Sequence, residues 1–163
     1  MHTVAKLTKT LTALKERAPA GFALAMHIEF TTPAYVFQTF SAKWADRYSE
    51  AGFMLQDPVV HWGIRSVGTT RWSDLAPTSH PIMAEAAEHG LVYGCGCATN
   101  TGGLQSFAGF ARADREFTDT EITEIAEEFE TLHTQLLEAR TGSETTPEEL
   151  RFFALKYSEK ERV

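Results

Sequence analysis

Between residues 22 and 30 the chain alternates in character. Phe22, Leu24, Met26, Ile28 and Phe30 share one parity, and Ala23, Ala25, His27 and Glu29 the other. Strand side chains point to opposite faces with a period of two, so this run predicts a strand with one face in a core. Such a strand needs partners. Leu91 to Thr99 and Leu104 to Ala111 are small and apolar, and Asn100-Thr101-Gly102-Gly103 between them is a hairpin signal.

Helical periods surround these strands. Val4, Leu7, Leu11 and Leu14 predict an amphipathic helix over 3–17, ended by Pro19 and Gly21. Thr32-Pro33 is read as the opening of a second helix, because proline suits a first turn. Val36, Phe40, Trp44 and Tyr48 then follow at steps of four, as one aromatic-rich stripe on that helix. Asp57-Pro58 combines an N-cap with proline at the first helical position, predicting a short helix to about Ser66. Thr69 to Trp72 reads as extended, and Ser79 to His89 as a helix stopped by Gly90. Thr118-Asp119-Thr120-Glu121 and Thr146-Pro147-Glu148-Glu149 are capping boxes, each opening a helix. The order implies α+β, with helices on both faces of a mostly antiparallel sheet.

Charge and composition exclude several functions. The net charge of −7, from 22 acidic and 15 basic residues, disfavours direct DNA binding, which draws on cations facing phosphate. Residues 141–163 do not reverse this, with four Lys/Arg against five Glu. There is no phosphate-binding loop, dinucleotide fingerprint, zinc-protease helix or nucleophile elbow. The six His are scattered without ligand spacing, so no metal is expected. Cys95 and Cys97 read as small buried side chains. No signal-peptide pattern or membrane-length apolar run is present, so a cytoplasmic location with no membrane partner is expected.

The informative constellation is Trp44-x-x-x-Tyr48, Asp57-Pro58-Val59 and Trp72. An indole N–H only donates and a carboxylate only accepts. Together they suit a ligand that carries a lactone or ester carbonyl and an amide N–H, with aromatic faces around an aliphatic chain. Spacing alone leaves two readings open: an aromatic core stripe or an apolar pocket.

With its gap of eight residues between Tyr48 and Asp57, and Trp72 fifteen residues after Asp57, the constellation resembles the autoinducer-binding domain of LuxR-type quorum-sensing regulators. Glu88-His89-Gly90 followed by Gly94, the hairpin and the long helix extend the resemblance over roughly residues 5–140. The resemblance implies an α/β/α sandwich around a five-stranded antiparallel sheet, with an N-acyl-homoserine lactone buried beneath one helical layer. It gives Trp44 the lactone carbonyl, Asp57 the amide N–H, and Tyr48 the acyl carbonyl or the pocket wall. Trp72 would pack on the lactone, and Gly94 would keep the wall tight. The chain also departs from the pattern. Phe40 stands where the family usually has tyrosine. Gly109 stands where it often has Ser or Thr, unless a shift brings in Ser106.

The resulting expectation is a non-enzymatic sensing domain over 1–140, a linker at 141–146, and from 147 to 163 the start of a truncated or missing helix-turn-helix domain. No cofactor is expected. The expected partners are the signal and a second subunit, as a homodimer or a heterodimer with a related regulator. DNA would be reached only through a C-terminal domain absent here. The alternative is a ligand-free dimerisation module that modulates a complete regulator.

Overall fold

The computed structural model describes residues 2–162, so Met1 and Val163, the outer ends of the two expected domains, lie outside the described residues. Helix α1 (His2–Arg17) leads into strands β1 (Gly21–Glu29) and β2 (Thr32–Gln38). Helix α2 (Ala42–Glu50), a 3-10 turn at Phe53–Leu55 and helix α3 (Pro58–Arg65) follow. Strand β3 (Gly68–Arg71), the single turn α4 (Trp72–Leu75) and helix α5 (Pro81–Glu88) precede the hairpin of β4 (Tyr93–Thr99) and β5 (Gln105–Arg112). Helices α6 (Asp119–Thr141) and α7 (Pro147–Glu161) come last. The five strands pair antiparallel in the order β2-β1-β5-β4-β3. This is the α+β sandwich that the sequence implied.

The two faces of the sheet differ in side-chain size. Phe22, Leu24 and Met26 of β1, Cys95 and Cys97 of β4, and Phe110 of β5 face one helical layer. They meet Leu7, Leu11 and Leu14 of α1 and Ile125, Phe129, Leu132 and Leu136 of α6. Full burial of each large side chain contributes about 1.5–3 kcal/mol, so this layer anchors the fold. The opposite face carries the other parity. There the register aligns Gln38, Ala23, Gly109, Gly96 and Thr70 in one row across all five strands. With almost no side chain rising from its centre, this face leaves a hollow under α2, α3 and α5.

Residues 32–38 are a strand, not the opening of a helix. Tyr35 and Phe37 are buried on the α6 side while Val36 between them is exposed, which is a period of two. Pro33 is tolerated because β2 is the outermost strand. Helix α2 begins only after Ser41, whose hydroxyl accepts from the Trp44 N–H at 3.3 Å. Trp44 and Tyr48 therefore still lie one turn apart, but Val36 and Phe40 do not share their helix.

The alternation in β1 also ends early. Register shifts against β5 between Ala25 and Ile28, and His27 adopts a left-handed φ of 55°. This bulge turns His27 inward, where it is fully buried, so it is not on the open face that its parity assigned. Phe30, read as core, is fully exposed in the turn to β2.

Both capping boxes form. Thr118 accepts from the Glu121 N–H at 3.1 Å, and the Glu121 carboxylate accepts from the Thr118 N–H at 2.8 Å. Thr146 and Glu149 repeat the exchange at 3.1 and 2.8 Å. Helix α7 packs Leu150 and Ala154 into the same core and sets Phe153 and Tyr157 edge-on to Phe37. Its Ser158 hydroxyl accepts from the Gln38 N–H at 3.1 Å and donates to the Val36 carbonyl at 3.4 Å, satisfying outward backbone groups of β2. Among the described residues no helix is long and apolar enough to cross a membrane.

Candidate functional site

A cavity of about 380 Å³ occupies the hollow, within the range of small-molecule sites. Ala23, Ala25, Phe107 and Gly109 form its floor. Trp44 and Tyr48 of α2, Val59 of α3, and Ile82 and Ala86 of α5 roof it. Val36 and Met54, both exposed, mark its mouth.

Its polar lining comprises Gln38, Tyr48, Ser49 and Asp57. Asp57 caps α3, accepting from the Val59 N–H at 2.8 Å through Oδ1. Its Oδ2 accepts from the Tyr48 hydroxyl at 2.7 Å. Burial, and then the neighbouring Asp57 charge, push the Tyr48 phenol well above its ordinary range, so it stays protonated and donating. A carboxylate has about four acceptor sites, and two are used, leaving Asp57 able to accept from a ligand N–H. Trp44 is held by the rings of Tyr48 at 5.8 Å and His89 at 5.0 Å. No protein acceptor among the described residues meets its indole N–H. Trp44 and Asp57, an indole and a carboxylate, thus line one cavity.

Trp72, at the start of α4, walls the same cavity. Its ring fills the space above Gly94, where any Cβ would overlap it. Gly63 has the same relation to Phe107, whose ring lies where a side chain would be. The Trp72 indole N–H is buried without a partner among the described residues, a state that costs about 1–3 kcal/mol. It lies near Gly109, where an added Cβ would sit 3.8 Å from Nε1. Phe40, although outside the helix, still lines the cavity.

Ser106 is not part of this site. It has the opposite parity to Gly109 on β5 and is fully buried on the α6 side. Its hydroxyl accepts from the His27 N–H at 2.8 Å and lies 2.8 Å from His133 Nδ1. The other His133 nitrogen lies 2.8 Å from the Thr101 carbonyl, so the bonds are met with the proton on Nε2 and the serine donating to Nδ1. His27 Nε2 reaches the His133 carbonyl at 3.2 Å. This Ser–His pair pins the bulge to α6 and does not open into the cavity.

The sequence did not reveal that Ala23, Ala25, Val36, Gln38 and Phe107 line the site. The alternating alanines of β1 were the available signal. Burial pushes the Cys95 thiol up to about 12 and Cys97 well above its ordinary value, so both are inert thiols on the core side. Among the described residues no cluster of three or more His, Cys, Asp or Glu could hold a metal.

The chain matches the autoinducer binding domain family over residues 21–139, a span that contains every residue of the cavity. No curated protein matches it in sequence. Among solved structures, Escherichia coli SdiA is similar with a TM-score of 0.65 at 19% identity, covering 86% of this chain and 65% of that one. SdiA in complex with octanoyl-rac-glycerol gives 0.60 at 19%, covering 85% and 64%. CepR2 of Burkholderia cenocepacia, an N-acylhomoserine lactone dependent LuxR family transcription factor, gives 0.54 at 15%, covering 83% and 93%. The chain spans just under two thirds of the SdiA structures' length. Identities this low bear on the fold alone. The family match over most of the chain decides the matter: this protein belongs to the autoinducer binding domain family.

Proposed function

We propose that this chain is the ligand-sensing domain of a quorum-sensing transcriptional regulator, and that its cavity takes an N-acyl-homoserine lactone or a similar amide- or ester-linked acyl signal. One observation carries the reading: Trp44 and Asp57 line the same largely apolar cavity. In this reading Trp44 donates to the lactone carbonyl and Asp57 accepts from the amide N–H. Tyr48 holds Asp57 in place, and Trp72, seated on Gly94, flanks the lactone. The acyl chain lies along the Gly/Ala floor toward Val36 and Met54.

Binding, not catalysis, is the role. Both cysteines lie on the other face of the sheet, and the cavity hydroxyl paired with a carboxylate, Tyr48 with Asp57, is read as positioning the ligand acceptor. We further propose that the domain works in the cytoplasm as a homodimer or with a related regulator. DNA contact would be made by a helix-turn-helix outside these residues.

A ligand enclosed by the fold stabilises it by mass action, about 2.7 kcal/mol at a hundredfold excess over Kd. That corresponds to a rise of roughly 5–10 °C in Tm for a domain of this size. Thermal melting with acyl-homoserine lactones of graded chain length, and with 1-octanoylglycerol, tests it. No shift with any of them at saturating concentration would overturn the assignment.

A further inference from the structure

The lactone end of such a ligand has Trp44 and Asp57, but the acyl end meets a nearly apolar wall. Phe40 and Gly109 offer no side-chain hydrogen bond. The Trp72 indole N–H is sealed from contact. Ser49 lies exposed at the rim. Gln38 is the exception. It is half-buried, lines the cavity, and its side-chain amide has no hydrogen-bond partner among the described residues.

We infer that Gln38 is a specificity-determining residue of this cavity, its side-chain amide donating to the acyl carbonyl of the ligand. The inference rests on the acyl-signal reading above. Gln38 pairs across the sheet with Ala23, and Ala23 in turn with Gly109. At Ala23 and Gly109 that row rises no higher than a methyl group, so no side chain of the row itself separates Gln38 from the floor. An extended glutamine spans about one strand spacing, ~4.8 Å, enough for its amide to reach the space over Ala23. The backbone beneath it is held, because Ser158 of α7 accepts from the Gln38 N–H. An acyl carbonyl can only accept, and an amide NH₂ supplies two donors. A buried carbonyl left without a donor would weaken binding, so an unengaged amide on this wall fits that need.

Two variants and one spectrum test the role. Gln38→Met keeps the length and removes both donors. Gln38→Glu keeps the shape and leaves only acceptors. Both retain the backbone N–H that Ser158 holds. For N-octanoyl-homoserine lactone, Gln38→Met is expected to raise Kd about tenfold and Gln38→Glu by at least as much. In the unmodified protein the Gln38 side-chain NH₂ resonances should move on ligand addition, a readout that does not depend on either variant folding. Unchanged Kd in both variants, or an unmoved NH₂ pair with ligand bound, overturns the role of Gln38 and leaves the sensor reading standing. If no acyl lactone or acylglycerol binds the unmodified chain, both fall.

Discussion

Tyr48 and Asp57 are joined across the α2–α3 connection by a 2.7 Å hydrogen bond, with the tyrosine donating. The same carboxylate caps α3 through its other oxygen. The acceptor that a ligand would meet is therefore fixed by two protein donors before any ligand arrives, which lowers the ordering cost of binding.

Removing either partner should expose that coupling. Tyr48→Phe is expected to cost the unliganded protein about 1 kcal/mol, and Asp57→Ala somewhat more, because it also removes the cap. Asp57→Asn keeps most of the cap, so it should weaken ligand binding more than folding. Urea titration of the single variants and of Tyr48→Phe/Asp57→Ala forms a double-mutant cycle. Additive single effects would mean that the hydrogen bond contributes nothing.

Gly94→Ala drives a methyl into the Trp72 ring. Overpacking of this kind costs about 1–3 kcal/mol, and here it must also displace a cavity wall. A lower Tm, a shifted tryptophan emission maximum and loss of ligand-induced stabilisation are expected together. Wild-type melting and binding in this variant would show that Trp72 can sit elsewhere without consequence.

Gly109→Ser tests the unmet indole. A Cβ at 109 would meet Trp72 Cζ2 and Val59 Cγ1 at 3.6 Å, ordinary contact distances. The added hydroxyl can accept from the Trp72 N–H, so the unliganded domain should gain about 1 kcal/mol. Gly109→Ala fills the same space without an acceptor and serves as the comparison. Equal Tm for the two variants would remove the hydrogen bond from the account.

The bulge predicts an acid-sensitive fold. Burial, and next the neighbouring His133, lower the His27 pKa from its ordinary 6.5 to about 4. Above pH 6.5 the ring is neutral whether the chain is folded or not, and its contribution is complete. Between 6.5 and about 4 only the unfolded chain takes up the proton, so stability falls as pH is lowered; below about 4 the loss stops growing. The full effect is on the order of 3 kcal/mol. His27→Asn, with a residue that tolerates the left-handed backbone, should flatten the pH dependence of urea midpoints across this window. An unchanged slope would place the acid sensitivity elsewhere.

Local chemistry made much of this fold legible. Thr118 and Thr146 cap where their side chains can close a reciprocal pair, and the 100–103 turn joins β4 to β5. The error at 32–38 came from a coincidence of spacing. Val36, Phe40, Trp44 and Tyr48 fall four apart, yet it is Tyr35 and Phe37, on either side of the exposed Val36, that are buried, and pairing with β1 outweighs the proline signal. Trp44, Tyr48, Asp57 and Trp72 stood out in the sequence because indole, phenol and carboxylate are distinctive side-chain chemistries, and all four line the cavity. The floor did not stand out, because it is defined by what Ala23, Ala25 and Gly109 lack, and only the cross-strand register shows that these gaps coincide. Ser106 and Gly109 differ by three positions, an odd step that on a strand means opposite sides.

The serine clasp on β2 bears on how these molecules behave in a crowd. A lateral strand with free amides and carbonyls is a template onto which another polypeptide can zip, and repeated zipping yields fibrils. Here one hydroxyl on α7 occupies an amide and a carbonyl that an incoming chain would otherwise use. Helix α7 thus blocks strand addition at the Val36–Gln38 stretch of β2.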